Sequence, residues 1–168
     1  MSEAGAGLAR RVEASLTAIA ALGSAIAVTP PLADEARFGP DEDAWGPREV
    51  LAHATEAVAF WHGEMERVLA ADPNGPSPAF GRRPDDAARV AVITRDHGLP
   101  AGVLLDRLGR EGAAVATRIA RLTPRELARV GRHPAWGEMP VGALVERTLA
   151  AHLEGHAEQL RRLLGSGT

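Results

Sequence analysis

Apolar residues recur at helical spacing along most of the chain. Leu8, Val12, Leu16, Ile19, Leu22 and Ile26 fall three or four apart and predict a first helix near residues 3 to 28. Thr29-Pro30-Pro31 stops it, because a proline pair removes backbone donors and disfavours the helical conformation just before it. After an acidic, loop-like stretch, Pro47 opens a second helix that runs to about Ala71, with Val50, Leu51, Ala54, Val58, Trp61, Met65 and Leu69 on one broad face. "DPNGPSP" breaks it. A shorter helical piece near residues 85 to 96 precedes a third helix, opened by Pro100, whose seam reads Leu104, Leu108, Gly112, Val115, Ile119, Leu122. Thr123-Pro124-Arg125-Glu126 restarts a turn with capping-box spacing that lasts to about Val130. The fourth helix starts at Pro140 and ends near Leu164, with the seam Val145, Leu149, His152, His156, Leu160, Leu163. Four amphipathic helices with polar backs predict an all-α fold, a four-helix bundle, as one domain over residues 1–168. Strand signals are nearly absent.

Composition sharpens this picture in three places. Abundant Ala and Leu support helices. The 19 basic residues, all arginine, are scattered among 22 acids for a net charge of -3, so no basic stripe suited to a phosphate backbone emerges and a nucleic-acid partner is not expected. With no cysteine, disulfides, thiolate metal ligands and an internal thiol nucleophile are excluded, and any sulfur chemistry has to come from a cosubstrate. Ala14 to Val28 superficially resembles a targeting signal, but its weak lipid affinity, the flanking Glu3 and Glu13 and its helical spacing favour a helix of the domain. No stretch is long and apolar enough to span a bilayer, and a cytoplasmic protein without membrane association is expected.

The fourth helix raises the chemical question, since His152 and His156 occupy its apolar seam. Residues four apart on a helix stack one above the other, so the two rings can converge on one point. The spacing is not the zincin motif, because Leu153 stands where that motif has a glutamate and Glu154 points away from His152. Two imidazoles seldom hold a divalent ion tightly, so a third ligand from another helix is required. His53 on the second helix, with Val50, Ala57 and Phe60 as near neighbours, lies on or beside the inward face. It sits about 9 Å into its helix and His156 about 12 Å from the end of the fourth, levels that coincide only if those helices run antiparallel. That points to an up-down-down-up course, with the long connection from Asp72 to Leu99 as the crossover. The competing reading is three hydrogen-bonded core histidines. His62, His97 and His133 lie outside this constellation and read as surface residues.

"WGPREVLAHATEAVAFW" (Trp45 to Trp61) followed by "LVERTLAAHLEGHAEQL" (Leu144 to Leu160) resembles the DinB-like superfamily, which includes YfiT-type enzymes and mycothiol-dependent maleylpyruvate isomerases. The resemblance implies a four-helix bundle of up-down-down-up topology, often a homodimer, with a divalent metal held at the positions of His53, His152 and His156. It also implies a transferase or isomerase using a low-molecular-weight thiol such as bacillithiol, mycothiol or glutathione. Three neutral imidazoles leave coordination positions open, as in a catalytic zinc site, and a thiol entering there becomes a thiolate near neutral pH. Zinc or nickel suits such ligands best.

The expected activity is therefore metal-dependent transfer of a small thiol to an electrophilic small molecule. Metal-dependent hydrolysis and a non-catalytic metal-binding or ligand-sensing bundle are the alternatives. Glu49 and Glu56, at i-4 and i+3 from His53, are candidates to orient its ring or take a proton, against a plain reading as solvated helix face. The segment Asp72 to Pro84, with Phe80, Arg82 and Arg83, reads as a surface crossover, with a pocket cover that holds an anionic substrate as the alternative.

Overall fold

The computed structural model describes residues 2–33 and 42–165, and these are mostly helical. The chain order is α1 (Glu3–Ala21), α2 (Gly23–Val28), a single 3-10 turn (Glu42–Ala44), α3 (Pro47–Ala70), α4 (Ala87–Asp96), α5 (Ala101–Ala120) and α6 (Pro124–Leu127). A two-stranded hairpin, β1 (Val130–His133) and β2 (Gly137–Pro140), leads into α7 (Val141–Val145), a π-helical turn (Glu146–Ala150) and α8 (Ala151–Gly165).

The predicted helix starts follow local chemistry. Pro47 occupies the first turn of α3, where its missing N–H costs nothing. Thr123 and Glu126 form the reciprocal capping box expected from their spacing, the hydroxyl accepting from the Glu126 N–H and the carboxylate from the Thr123 N–H. Asp86 caps α4 by accepting from the N–H groups of Ala88 and Arg89.

α1 packs on α5 and α8, and α3 packs on the same two helices, so the apolar seams meet in one core. Ile19, Val50, Leu51, Met65, Leu104, Val115, Ile119, Leu144, Leu149 and Leu160 are fully buried in it. Burying a side chain of this kind contributes about 1.5–3 kcal/mol, which makes the seam the main stabilising term. The contacts also fix relative positions along the helices. A Cβ on Gly112 would lie 2.4 Å from Leu16 Cδ1, and one on Gly23 would lie 2.7 Å from Leu105 Cδ1. On the other face of α5, Thr55 Oγ1 is 3.4 Å from the Leu104 carbonyl and Arg118 Nε is 2.7 Å from Glu66 Oε1.

Three expectations need correction. The first helix is interrupted at Leu22, immediately before Gly23, which faces the Leu105 side chain of α5. The fourth helix is not uniform, since its second turn is π-helical, with the Ala151 N–H bonded to the Glu146 carbonyl five residues back. Strands do form: Val130 pairs with Pro140 and His133 with Gly137. The hairpin is held on its outer side by Phe80, whose N–H donates to the Arg132 carbonyl at 3.1 Å while the Arg132 N–H donates to the Pro78 carbonyl at 2.9 Å. Phe80 is itself buried, so the connection from α3 to α4 is anchored to the core and not merely draped over it.

Candidate metal centre

His53 on α3 and His152 and His156 on α8 meet at one level of the core. His152 Nε2 lies 3.2 Å from His53 Nε2 and 2.8 Å from His156 Nε2. Glu42, in the 3-10 turn ahead of α3, brings Oε1 to 3.5 Å from His53 Nε2 and Oε2 to 4.0 Å from His156 Nε2. One donor atom from each of the four side chains lies within 4.8 Å of all the others.

The rings are oriented from behind. His152 Nδ1 faces the Thr148 carbonyl at 3.3 Å, in the π-helical turn, and a carbonyl only accepts. His156 Nδ1 faces Gln159 Oε1 at 3.0 Å, and that amide is fixed the right way round because its Nε2 donates to the Glu42 carbonyl at 2.6 Å. Both Nδ1 atoms therefore carry the ring hydrogen, which leaves both Nε2 atoms as bare lone pairs facing each other with no proton to share. Such a contact is repulsive unless a cation lies between the nitrogens. His53 stands edge-on to Trp45, ring centroids 5.1 Å apart, and its buried Nδ1 has no hydrogen-bond partner; Glu56 Oε2 is 4.0 Å away.

Burial also keeps the imidazoles uncharged. It holds His53 well below the ordinary histidine range, with His152 and His156 adding to the effect. His152 is pushed down to about 3, again first by burial and then by His156, against the Thr148 carbonyl. Burial lowers His156 as well, opposed by its bond to Gln159. Neutral imidazoles are the metal-binding form. A tetrahedral ion with nitrogens at about 2.0–2.1 Å sets neighbouring ligand atoms ~3.3 Å apart, close to the spacing of these rings. The donor set thus fits a divalent ion: nitrogen lone pairs aimed at one point, an acidic group beside them and no thiolate.

A cavity of about 200 Å³ opens onto His53 and His152. Trp61 and Trp136 form its aromatic side, and Arg82, Arg83, Arg89 and Arg147 its charged side. Arg89 pairs with Glu42, and Arg82 pairs with Glu56 while lying 3.9 Å over the Phe60 ring.

The DinB superfamily family model matches residues 24–160, which covers α3, the cavity and the histidines of α8. The chain belongs to the DinB superfamily. No curated protein and no solved structure matches it. In this DinB-superfamily chain the four-residue group of histidine and glutamate can hold a metal ion, and no helix among the described residues is long and apolar enough to cross a membrane.

Of the residues singled out from sequence, His53, His152 and His156 are brought together and Glu56 lies just outside them. Glu49 is not at the cluster: fully buried, it accepts from the Leu32 N–H and meets His97 Nδ1, each at 2.9 Å. Glu56, half of a tight ion pair with Arg82, is likewise not a solvated face. His62 is partly exposed beside Glu66. His133, expected at the surface, is buried: its Nδ1 accepts from the N–H groups of Ala135 and Trp136 and its Nε2 donates to the Arg82 carbonyl. Burial lowers its pKa, in keeping with a neutral ring that ties the hairpin to the crossover. Glu42, Gln159, Arg89, Trp136 and Arg147 were missed. Only Gln159 carried a signal, three residues after a seam histidine and so on the same helix face.

Proposed function

We propose that this chain is a divalent-metal-dependent enzyme that transfers a low-molecular-weight thiol to an electrophilic small molecule, with His53, His152 and His156 as the metal ligands. The observation that carries the reading is the 2.8 Å approach of His152 Nε2 to His156 Nε2, with an acceptor beside the Nδ1 of each ring. A divalent ion bound there, zinc or nickel by ligand type, supplies a Lewis acid that makes a thiol a thiolate near neutral pH. The protein has no cysteine, so the nucleophilic sulfur is the cosubstrate's.

The chain's own residues divide the remaining work. Thr148 and Gln159 fix the tautomers of His152 and His156. Glu42, steadied by Arg89, is the nearest acceptor for the proton a thiol gives up. Trp61 and Trp136 exclude water from one side of the cavity and offer flat apolar surface to the electrophile. Glu56, through Arg82, supports the crossover segment beside the cavity.

The bundle is proposed as one domain over the whole chain with an up-down-down-up course. Three sets of contacts support that course. From Leu16 on α1 to Gly23 at the start of α2 the partners on α5 run backwards, from Gly112 to Leu105, whereas from Thr55 to Glu66 along α3 they run forwards, from Leu104 to Arg118. On α3 and the last helix, His53 packs against His156 while Trp61 lines one cavity with Thr148, the order expected of antiparallel helices. A homodimer is carried over from the family resemblance, and a cytoplasmic location from the reduced thiol pool the reaction needs.

Incubating metal-loaded protein with a panel of electrophiles, with and without bacillithiol, mycothiol and glutathione, tests the activity. Thiol adducts formed only in the presence of protein and metal are expected. Turnover that needs no thiol would instead make the protein a hydrolase.

A further inference from the structure

The arginines of the cavity are not all matched by acids. Arg89 is paired with Glu42 and Arg82 with Glu56, whereas Arg83 and Arg147 have no carboxylate partner among the described residues. These two exposed arginines leave the cavity mouth with positive charge that no carboxylate of the described residues offsets.

Arg147 is also held ready. Its guanidinium carbon sits 4.3 Å over the Trp136 ring, and Trp136 is stacked on His133 with centroids 3.7 Å apart and planes 11° from parallel. His133 is fixed in turn by the hairpin N–H groups and the Arg82 carbonyl, so the platform beneath the guanidinium is rigid. A planar fork pinned on an indole loses little entropy when it takes a carboxylate, and its donors remain free at the edges. Trp61 lies alongside, its ring 24° from parallel to Trp136 at a centroid distance of 6.1 Å.

We propose that this cavity takes a small organic anion with a flat apolar body, its carboxylate on Arg147 and Arg83 and its body against Trp61 and Trp136. The inference deepens the reading of the histidine site, because it names a substrate class for the same cavity. It does not depend on the metal for its own affinity.

The test uses 4-fluorobenzoate and its uncharged isostere 4-fluorobenzamide, observed by fluorine NMR with protein as purified, the metal content of each sample being measured in parallel. Benzoate binds, the amide binds at least about tenfold more weakly, and Arg147→Gln weakens benzoate by at least about tenfold, the loss of one charge-assisted pair. Arg147→Lys, which keeps the charge and loses the fork, falls between, and neither variant changes the metal content. Equal binding of the two probes, or wild-type affinity in Arg147→Gln, overturns the proposal. So does benzoate binding that disappears on stripping the metal and ignores Arg147, which would put the anion on the metal. Arg147-dependent binding to a protein that retains no metal would uphold the anion site while refuting the metal reading.

Discussion

Gln159 holds His156 and Glu42 in one grip: its Oε1 lies 3.0 Å from His156 Nδ1 and its Nε2 donates to the Glu42 carbonyl at 2.6 Å. One amide therefore sets the tautomer of an α8 histidine and the position of the turn that carries the acidic neighbour. Gln159→Leu removes both bonds at similar volume. Metal affinity is expected to fall about 10–100-fold, measured by competition with a chromophoric chelator. An unchanged affinity would mean that the ring needs no such support.

Glu42 is read as a proton acceptor and not as a ligand. Glu42→Gln is therefore expected to keep its metal and to lose about a hundredfold or more in turnover, measured on whichever electrophile the wild-type protein consumes. Loss of metal from this variant would make Glu42 a fourth ligand, and full turnover would remove it from the mechanism.

The buried histidines give metal-stripped protein a defined response to acid. Their folded pKa values lie below the unfolded value of 6.5, so below that pH the unfolded chain binds more protons than the folded one. The stability they support is complete above pH 6.5 and is lost progressively as the pH falls toward about 3, the folded value of His152. At pH 5 His152 alone accounts for about 2 kcal/mol. Urea unfolding of stripped protein from pH 8 to pH 5 measures this, and His152→Ala should flatten the slope. A level profile in the wild-type protein would contradict the burial.

Gly81 is the backbone position on which the cavity wall turns. Its φ of +78° is left-handed, and a Cβ there would lie 2.2 Å from His133 Cδ2 and 3.3 Å from Trp61. Gly81→Ala is expected to destabilise the protein by about 1–3 kcal/mol and to shift tryptophan emission as the wall is pushed away. Thermal melts and fluorescence check this, and unchanged values in both would show that the wall yields at no cost.

The long helices were legible because their seams repeat regularly and because Pro47 marks a start that local chemistry enforces, as Thr123 does for the short α6. The histidine constellation was legible for the same reason: His152 and His156 interrupt an apolar line, and His53 falls on the inward side of α3. The hairpin was not, since "VGRH" and "GEMP" are four residues each, contain glycine and proline, and draw their order from Phe80 and Pro78 across the crossover. Glu42 was hidden for a related reason. It occupies one short turn with no periodicity, and its place beside the histidines is set by Gln159 and Arg89, both remote in sequence. Trp45, which packs on His53, and Trp136, which lines the cavity, were hidden likewise, since each lies outside the long helices and their seams.

Metal content is the most direct test of the central claim. Elemental analysis of the purified protein, supplied with zinc or nickel and compared with His152→Ala of confirmed helicity, should find about one ion per chain in the wild-type protein and almost none in the variant. A wild-type protein that holds no ion, or a variant that holds as much as the wild type, would contradict it.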